Sequence, residues 1–450
     1  MPLKLLERLP RRLRSLSSGF VARFFRKSAW GIAANGILIG LGIVQVGIVT
    51  RMLGVEQYGV YAVITVFPNL VQGFAGFRTW DFVARYCTEA LEAGDGVRAG
   101  DIALIGWSVD GAVALLTILI VLIGGRWYLH STLGATAALP LVYICALISV
   151  ANAGLSTSQA LLRVFDRFDW LFWHSAGTAA LRLGLMTAVY FLHPGLTGVV
   201  IAATLTSFVA AASAVLLSLI QGRRQLRFDI SRRLWHFVQR HAREFASFLG
   251  AGYVDASAQV LAANLDTVLL ARMGGAAEAG LYRAARLLIA NSMNLLTPMI
   301  QAILPDLQRS LSLSRGELKR RLIGLTVSVG AVATLGAATT SVLAPWLLRI
   351  VLGAEFAGAA TAVRIMIWSV ALFGSVFWLS PLMLSLKRPW ARTRAMLLST
   401  AVQIGLLFVL VPTHGHVGAA WAWLAMAVVF PFPIAIEFAM VARSWGRRRM

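Results

Sequence analysis

Arg51-Met52-Leu53-Gly54-Val55-Glu56-Gln57-Tyr58-Gly59-Val60-Tyr61 recurs 221 residues later as Arg272-Met273-Gly274-Gly275-Ala276-Ala277-Glu278-Ala279-Gly280-Leu281-Tyr282. Five residues match in register (Arg, Met, two Gly and Tyr), and Val60 aligns with Leu281. Each copy joins two long apolar stretches, so the repeat is architectural: the chain reads as a duplicated unit of six hydrophobic segments.

The flanking sequence supports a membrane reading. The 450 residues are 58% hydrophobic and 13% charged, with a mean hydropathy of +0.75, a composition of polytopic membrane proteins and not of soluble domains. Apolar runs near the bilayer-crossing length of about 20 residues fall at 30–50, 58–77, 102–123, 139–160, 172–192, 197–220, 245–271, 279–304, 322–348, 362–385, 395–411 and 417–440. The expected fold class is an all-α polytopic membrane protein of about 12 transmembrane helices. The duplication divides it into an N-terminal six-helix lobe at 30–220 and a C-terminal one at 245–440. Residues 1–29 read as a cytoplasmic interfacial amphipathic segment, 221–244 as a basic amphipathic linker and 441–450 as a basic cytoplasmic tail.

The formal net charge of +22 would suggest nucleic acid in a soluble chain, but its distribution excludes that reading. With the N-terminus in the cytoplasm, about 33 of the 41 Lys and Arg fall on the cytoplasmic side or at its interface. The opposite loops carry Arg51, Arg126, Arg272 and Arg349. The asymmetry predicts an even helix count with both termini cytoplasmic, and the basic clusters need no nucleic-acid partner. The amphipathic segments suit anionic membrane lipids, where each basic residue contributes about 1 kcal/mol. Two cysteines, Cys87 and Cys145, imply no disulfide framework. The basic N-terminal segment lacks the form of a cleaved signal, so the first span reads as retained.

All the outward loops are short and lack the clustered carboxylates or histidines with which a membrane glycosyltransferase or ligase would join donor to acceptor. No catalytic residue and no cofactor is expected. His414-Gly415-His416 brings two histidines together without a third ligand, so the spacing describes a solvated turn and no metal site is expected.

Charged groups inside spans cost at least about 2.5–3.5 kcal/mol at the helix centre, so they face a bundle interior or a watery cavity. In the eighth span Arg283, Arg286, Asn294, Thr297 and Gln301 share one helical face and read as a cavity wall. In the seventh, Asp255, Gln259 and Asp266 share a face, with Asp266 at the depth of the two arginines. Asp266 either neutralises one of them or leaves surplus positive charge for an anionic ligand. Asp255, nearer mid-membrane, has the setting of a proton-coupling carboxylate, and both are ion-coupling candidates. Arg182 and Arg364 add intramembrane positive charge, and Asp110 adds one negative, a balance that favours an anionic substrate. Thr65, Asn69 and Gln72 form the corresponding polar face of the second span. The substrate-binding candidates are therefore Arg182, Arg283, Arg286, Arg364, Asn69, Gln72, Asn294 and Gln301. Prolines within spans, Pro68, Pro298, Pro345, Pro381, Pro431 and Pro433, read as static bends or as gating kinks.

Several motifs resemble those of a known family. They are Thr50-Arg51-x-Leu53-Gly54-x-x-x-Tyr58-Gly59-x-Tyr61, Asp266-x-x-Leu269-Leu270 leading into Gly280-Leu281-Tyr282, Gly76-Phe77 before Arg85-Tyr86, Leu352-Gly353-x-x-Phe356, and His416-x-Gly418-Ala419-Ala420. In order and spacing they resemble the bacterial polysaccharide-biosynthesis flippases, which carry O-antigen and exopolysaccharide repeat units, of the multidrug/oligosaccharidyl-lipid/polysaccharide flippase superfamily. The resemblance implies two six-helix lobes around a central cavity that opens alternately to each side. It also implies transfer of an undecaprenyl-diphosphate-linked oligosaccharide from the cytoplasmic to the periplasmic leaflet of the bacterial inner membrane, with polysaccharide-assembly proteins as partners. An arginine-lined cavity would suit the diphosphate. The competing readings are a drug or metabolite exporter of the same superfamily, which would call for acidic residues in the N-terminal lobe, and a membrane-embedded glycosyltransferase or ligase.

Overall fold

The computed structural model describes residues 20–76, 79–223, 226, 233–300, 303, 307, 315–386 and 388–447; at 20–34, 233–252, 255, 315, 384, 389 and 441–447 it describes the backbone alone. Most of the 1–29 segment, much of the 221–244 linker and Gln301 lie outside the described residues, as does the side chain of Asp255.

The described residues form helices and no strands. In chain order they are α1 (Phe20–Ala75), α2 (Thr79–Glu92), α3 (Gly96–Leu133), α4 (Leu139–Val164), α5 (Phe168–Leu192), α6 (Leu196–Gly222) and α7 (Arg233–Asn294). After these come α8 (Arg315–Val351), a 3₁₀ turn (Ala354–Ala359), α9 (Ala360–Met366), α10 (Trp368–Val376), α11 (Leu379–Ser385), α12 (Pro389–Val429) and α13 (Pro431–Arg447). Among the described residues, eight helical stretches are long and apolar enough to cross a membrane. Three helices break at a glycine: α1 at Gly54 (φ 68°, ψ 178°), α7 at Gly275 (φ 85°, ψ 177°) and α12 at Gly415 (φ 53°, ψ −134°). With both arms of each counted, the helix order is compatible with the twelve expected crossings. The span expected at 362–385 is three consecutive short helices, α9 to α11.

The repeated motif explains two of those breaks and a contact that goes with them. Gly54 and Gly275 are equivalent under the 221-residue offset, and both adopt a positive φ open to glycine and strained for other residues. The second pair of glycines has a different task. A Cβ added at Gly59 would fall on the carbonyl oxygen of Ala276, and one added at Gly280 would fall on that of Val55. Val55 and Ala276 are themselves offset-equivalent, so the two contacts are mirror copies across a pseudo-dyad, backbone against backbone. Further along, Gly73 packs onto Val260, and the Tyr253 hydroxyl donates to the carbonyl of Phe74.

The chain forms two compact units. The first contains Gly40–Arg283 and Val351–Glu355, and the second contains the rest. Both copies of the motif therefore lie in the first unit. The 351–355 turn belongs there because Thr50 Oγ1 donates to the Leu352 carbonyl at 2.9 Å and the Arg51 side chain lies against Gly353. Arg51 is thus a loop anchor.

Within the first unit α4 is the hub, packing on α3, α6 and α2. At 38 residues, α3 would be about 57 Å long at 1.5 Å per residue, well beyond a hydrocarbon core of about 30 Å. Its extra length receives α2, an amphipathic helix whose Phe82, Val83, Tyr86, Cys87 and Ala90 pack with Ala99, Ile102 and Ala103 of α3 and with Ala160 and Leu161 of α4. Asp95 caps α3 by accepting from the Arg98 N–H at 2.9 Å, and Gly134 ends it in the left-handed region. Cys87 and Cys145 are free and buried. Burial pushes the Cys87 thiol up to about 12, which keeps it protonated and inert.

The duplication is broken at one buried carboxylate. Asp266 is fully buried and accepts from the Tyr282 hydroxyl at 2.6 Å and from the Thr267 N–H at 2.7 Å. Its offset-equivalent is Gln45, and Tyr61, equivalent to Tyr282, makes no hydroxyl hydrogen bond among the described residues.

In the second unit α8 meets α10 through small residues, Gly330 against Ser375 and Ala333 against Gly374, the close approach that helix packing in lipid requires. Arg388 and Arg394 converge on the largely buried Glu437 at 3.3 and 2.9 Å.

Two outcomes test this architecture by thermal unfolding of the purified protein. Gly59→Ala and Gly280→Ala should each destabilise by about 1–3 kcal/mol through overpacking, whereas Gly405→Ala, with open space around it, should be neutral or stabilising by up to about 1 kcal/mol. Tyr282→Phe leaves the Asp266 carboxylate one donor short and should cost about 1–3 kcal/mol, while Tyr61→Phe should be silent.

Candidate functional site

The sequence-derived candidates fall in both units, and each unit presents its own polar surface. In the first unit, Arg283 follows the Gly280 contact by one helical turn and is half-buried on α7. It lies close enough to the buried Tyr58 for its charge to be felt there. Among the described residues it has no ion pair, and the Asp266 carboxylate is directed to Tyr282 and Thr267 and not to it. Arg182, on α5, is half-buried with its Nε enclosed and without an acceptor. Asn69 is exposed on the second arm of α1, and one turn on, Gln72 turns into a polar cavity.

That cavity has a volume of about 340 Å³ and is bounded by the end of α1 and by α2, α3 and α4. Gln72, Thr79, Trp80, Asp110, Asn152, Ser156 and Gln159 supply its polar and aromatic wall. Asp110, noted in the sequence as a lone carboxylate of the third span, is its centre. Thr79 Oγ1 donates to one carboxylate oxygen at 2.6 Å, and the Thr157 hydroxyl donates to the other at 2.7 Å. The backbone reason is Gly106, one turn before Asp110: a side chain there would strike Thr157 and Val83, so the glycine lets α3, α4 and α2 close around the carboxylate. Nearby, the Asn152 amide donates to Gln72 at 3.5 Å, and the Arg163 guanidinium covers one face of Trp80 at 3.8 Å.

In the second unit, the Arg286 guanidinium carbon lies over the Trp423 ring, 3.9 Å from its centre, and the Trp423 Nε1–H donates to Ser369 Oγ at 3.1 Å. Stacking on an indole face holds a guanidinium without neutralising it. The sequence offered no signal for Trp423, which lies on α12, far along the chain from its partner. Arg364 is exposed and donates through Nε to the Ser341 carbonyl at 3.2 Å; Asn294 is exposed at the end of α7. His414 bonds to Thr413 and His416 to the Gly358 carbonyl, and among the described residues no three potential ligands gather as a metal site would need.

The fold is shared with solved transporters. An inward-facing multidrug resistance MATE family transporter of the MOP superfamily superposes with a TM-score of 0.69 at 14% identity, over 93% of this chain and 94% of that one. The lipid II flippase MurJ, in an inward closed conformation, gives 0.69 at 12% identity over 90% and 87%. A MOP superfamily transporter from Pyrococcus furiosus gives 0.65 at 13% identity over 98% of each chain. In sequence, the inner membrane protein YghQ of Escherichia coli (strain K12) is 26% identical over 182 residues, 39% of this chain and 49% of that protein, so the match spans about half of YghQ. Residues 24–310, well over half of the chain and including both copies of the motif, match a family described as polysaccharide biosynthesis protein. With the all-helical transporter fold and the duplicated motif both in place, the chain belongs to the polysaccharide biosynthesis protein family.

Proposed function

We propose that the chain is a flippase that moves a polyprenyl-diphosphate-linked oligosaccharide from the cytoplasmic to the periplasmic leaflet of a bacterial inner membrane, for polysaccharide or lipopolysaccharide assembly. One observation carries the reading: Arg283, half-buried on a helix expected to cross the membrane, has no ion pair among the described residues. A guanidinium taken out of water costs several kcal/mol unless it is paired. A site that keeps one in that state suits an anion that arrives and leaves. A diphosphate does both, and its oxygens fit the guanidinium fork bidentately.

Further support comes from the family description, which concerns polysaccharide biosynthesis, and from the fold of a lipid II flippase. The relative from Escherichia coli is an inner membrane protein, and the excess of basic residues on one side favours cytoplasmic termini here. In this reading Arg283 and Arg182 of the first unit, and Arg286, held over Trp423, and Arg364 of the second, are each candidate partners of the anion. Asn69, Gln72, Asn294 and Gln301 offer neutral hydrogen bonds that hold the substrate without trapping it. Transport then needs no bond-making, and the chain is a carrier and not an enzyme. Asp255 is the candidate for ion coupling, and Asp266, already engaged by Tyr282, the lesser one. Polysaccharide-assembly proteins would take the delivered lipid.

In a strain lacking the chain, Arg283→Ala and Arg286→Ala should each lower surface polysaccharide at least about tenfold, the effect of losing one or two charge-assisted hydrogen bonds, with normal protein level in the membrane. Arg283→Lys should retain part of the activity, because lysine keeps the charge and loses the fork. Normal surface polysaccharide in both alanine variants and in their double variant would remove these residues from the site.

A further inference from the structure

We infer that the cavity around Asp110 is a subsite for a neutral, unphosphorylated sugar ring. The inference rests on the lipid-linked glycan reading for its biological meaning.

Size comes first. About 340 Å³ would hold roughly ten waters, which is far too roomy for a bare ion and suited to a hydroxylated ring or two. The lining comes second. Three amides (Gln72, Asn152 and Gln159), two hydroxyls (Thr79 and Ser156) and one carboxylate converge on the space. Amides donate and accept side by side, as vicinal hydroxyls require, and the carboxylate accepts hydroxyl protons. Trp80 adds an aromatic surface for the apolar face of a ring. Gln159 makes no hydrogen bond among the described residues, so its amide is available to a ligand.

Charge then separates the possible occupants. Among the described lining residues Asp110 is the one charged group, and no arginine or lysine lines the space. Phosphate and uronic acid would meet a carboxylate and no cation, so the diphosphate belongs elsewhere. An organic cation fares no better: hydroxyl donors from Thr79 and Thr157 already occupy both carboxylate oxygens of Asp110. A neutral glycan, with many weak donors and acceptors and no charge, fits what remains.

The test uses the full chain in detergent with two probes, free N,N′-diacetylchitobiose as the neutral disaccharide and bare undecaprenyl diphosphate. Saturation-transfer NMR should detect the disaccharide on the native protein. Asn152→Leu with Gln159→Leu should weaken it at least about tenfold, the worth of two lost hydrogen bonds. Stabilisation by the bare carrier should stay unchanged in that variant. If the double variant unfolds, Gln159→Leu alone, at a side chain with no structural bond to lose, should still weaken the disaccharide. No disaccharide signal on the native protein, equal signal on native and variant, or displacement of the sugar by tetraphenylphosphonium would each overturn the subsite. Disaccharide binding without any response to the bare carrier would instead count against the lipid-diphosphate reading and leave the sugar subsite standing.

Discussion

The constraint on which the rest of this structure depends is the backbone contact between Gly59 and Gly280. In lipid, helices gain nothing from hiding apolar surface, so association relies on close approach, and a glycine at each side permits the closest. Here the approach occurs at equivalent positions of two copies of one motif, against the carbonyls of equivalent residues, Val55 and Ala276. One contact therefore serves both repeats and sets a pseudo-dyad. The positive-φ breaks at Gly54 and Gly275, five residues earlier, deliver the chain to that contact. The Thr50 bond to Leu352 then ties a distant turn into the same unit.

Symmetry in the scaffold makes asymmetry in the side chains informative. Arg283 and Arg286 stand where the first copy has Ala62 and Thr65, and Asp266 stands where it has Gln45. Asp266 holds Tyr282 and so stiffens the second copy beside its own arginines. The first copy spends its polarity differently. Gln72 joins amides and hydroxyls around Asp110, in a cavity that carries no positive lining charge. In the proposed reading, charge suited to a phosphate and polarity suited to a sugar are given to different surfaces.

Much of this was legible in the sequence, because the signals were periodic or local. Apolar runs marked the long helices, and the offset of 221 residues marked the duplication. The glycines of the motif were legible as special, but only as turn-makers; the second role, contact across the dyad, depends on which helices meet. The α2 helix was overlooked as a connection although Phe82, Val83, Tyr86, Cys87 and Ala90 follow a helical period, because a short amphipathic segment resembles loop beside such apolar spans. Trp423 under Arg286 and the threonines around Asp110 were out of reach, since residues remote in sequence meet there through packing alone.

The most direct measurement is transbilayer movement in vesicles holding the purified chain. Undecaprenyl diphosphate bearing a fluorescent neutral disaccharide would be compared with the same glycan on undecaprenol lacking the diphosphate, and with an organic cation. Protein-dependent transfer of the diphosphate-linked glycan, with the phosphate-free lipid and the cation left behind, is the expected result. Transfer of the cation with no movement of the lipid-linked glycan would contradict the account.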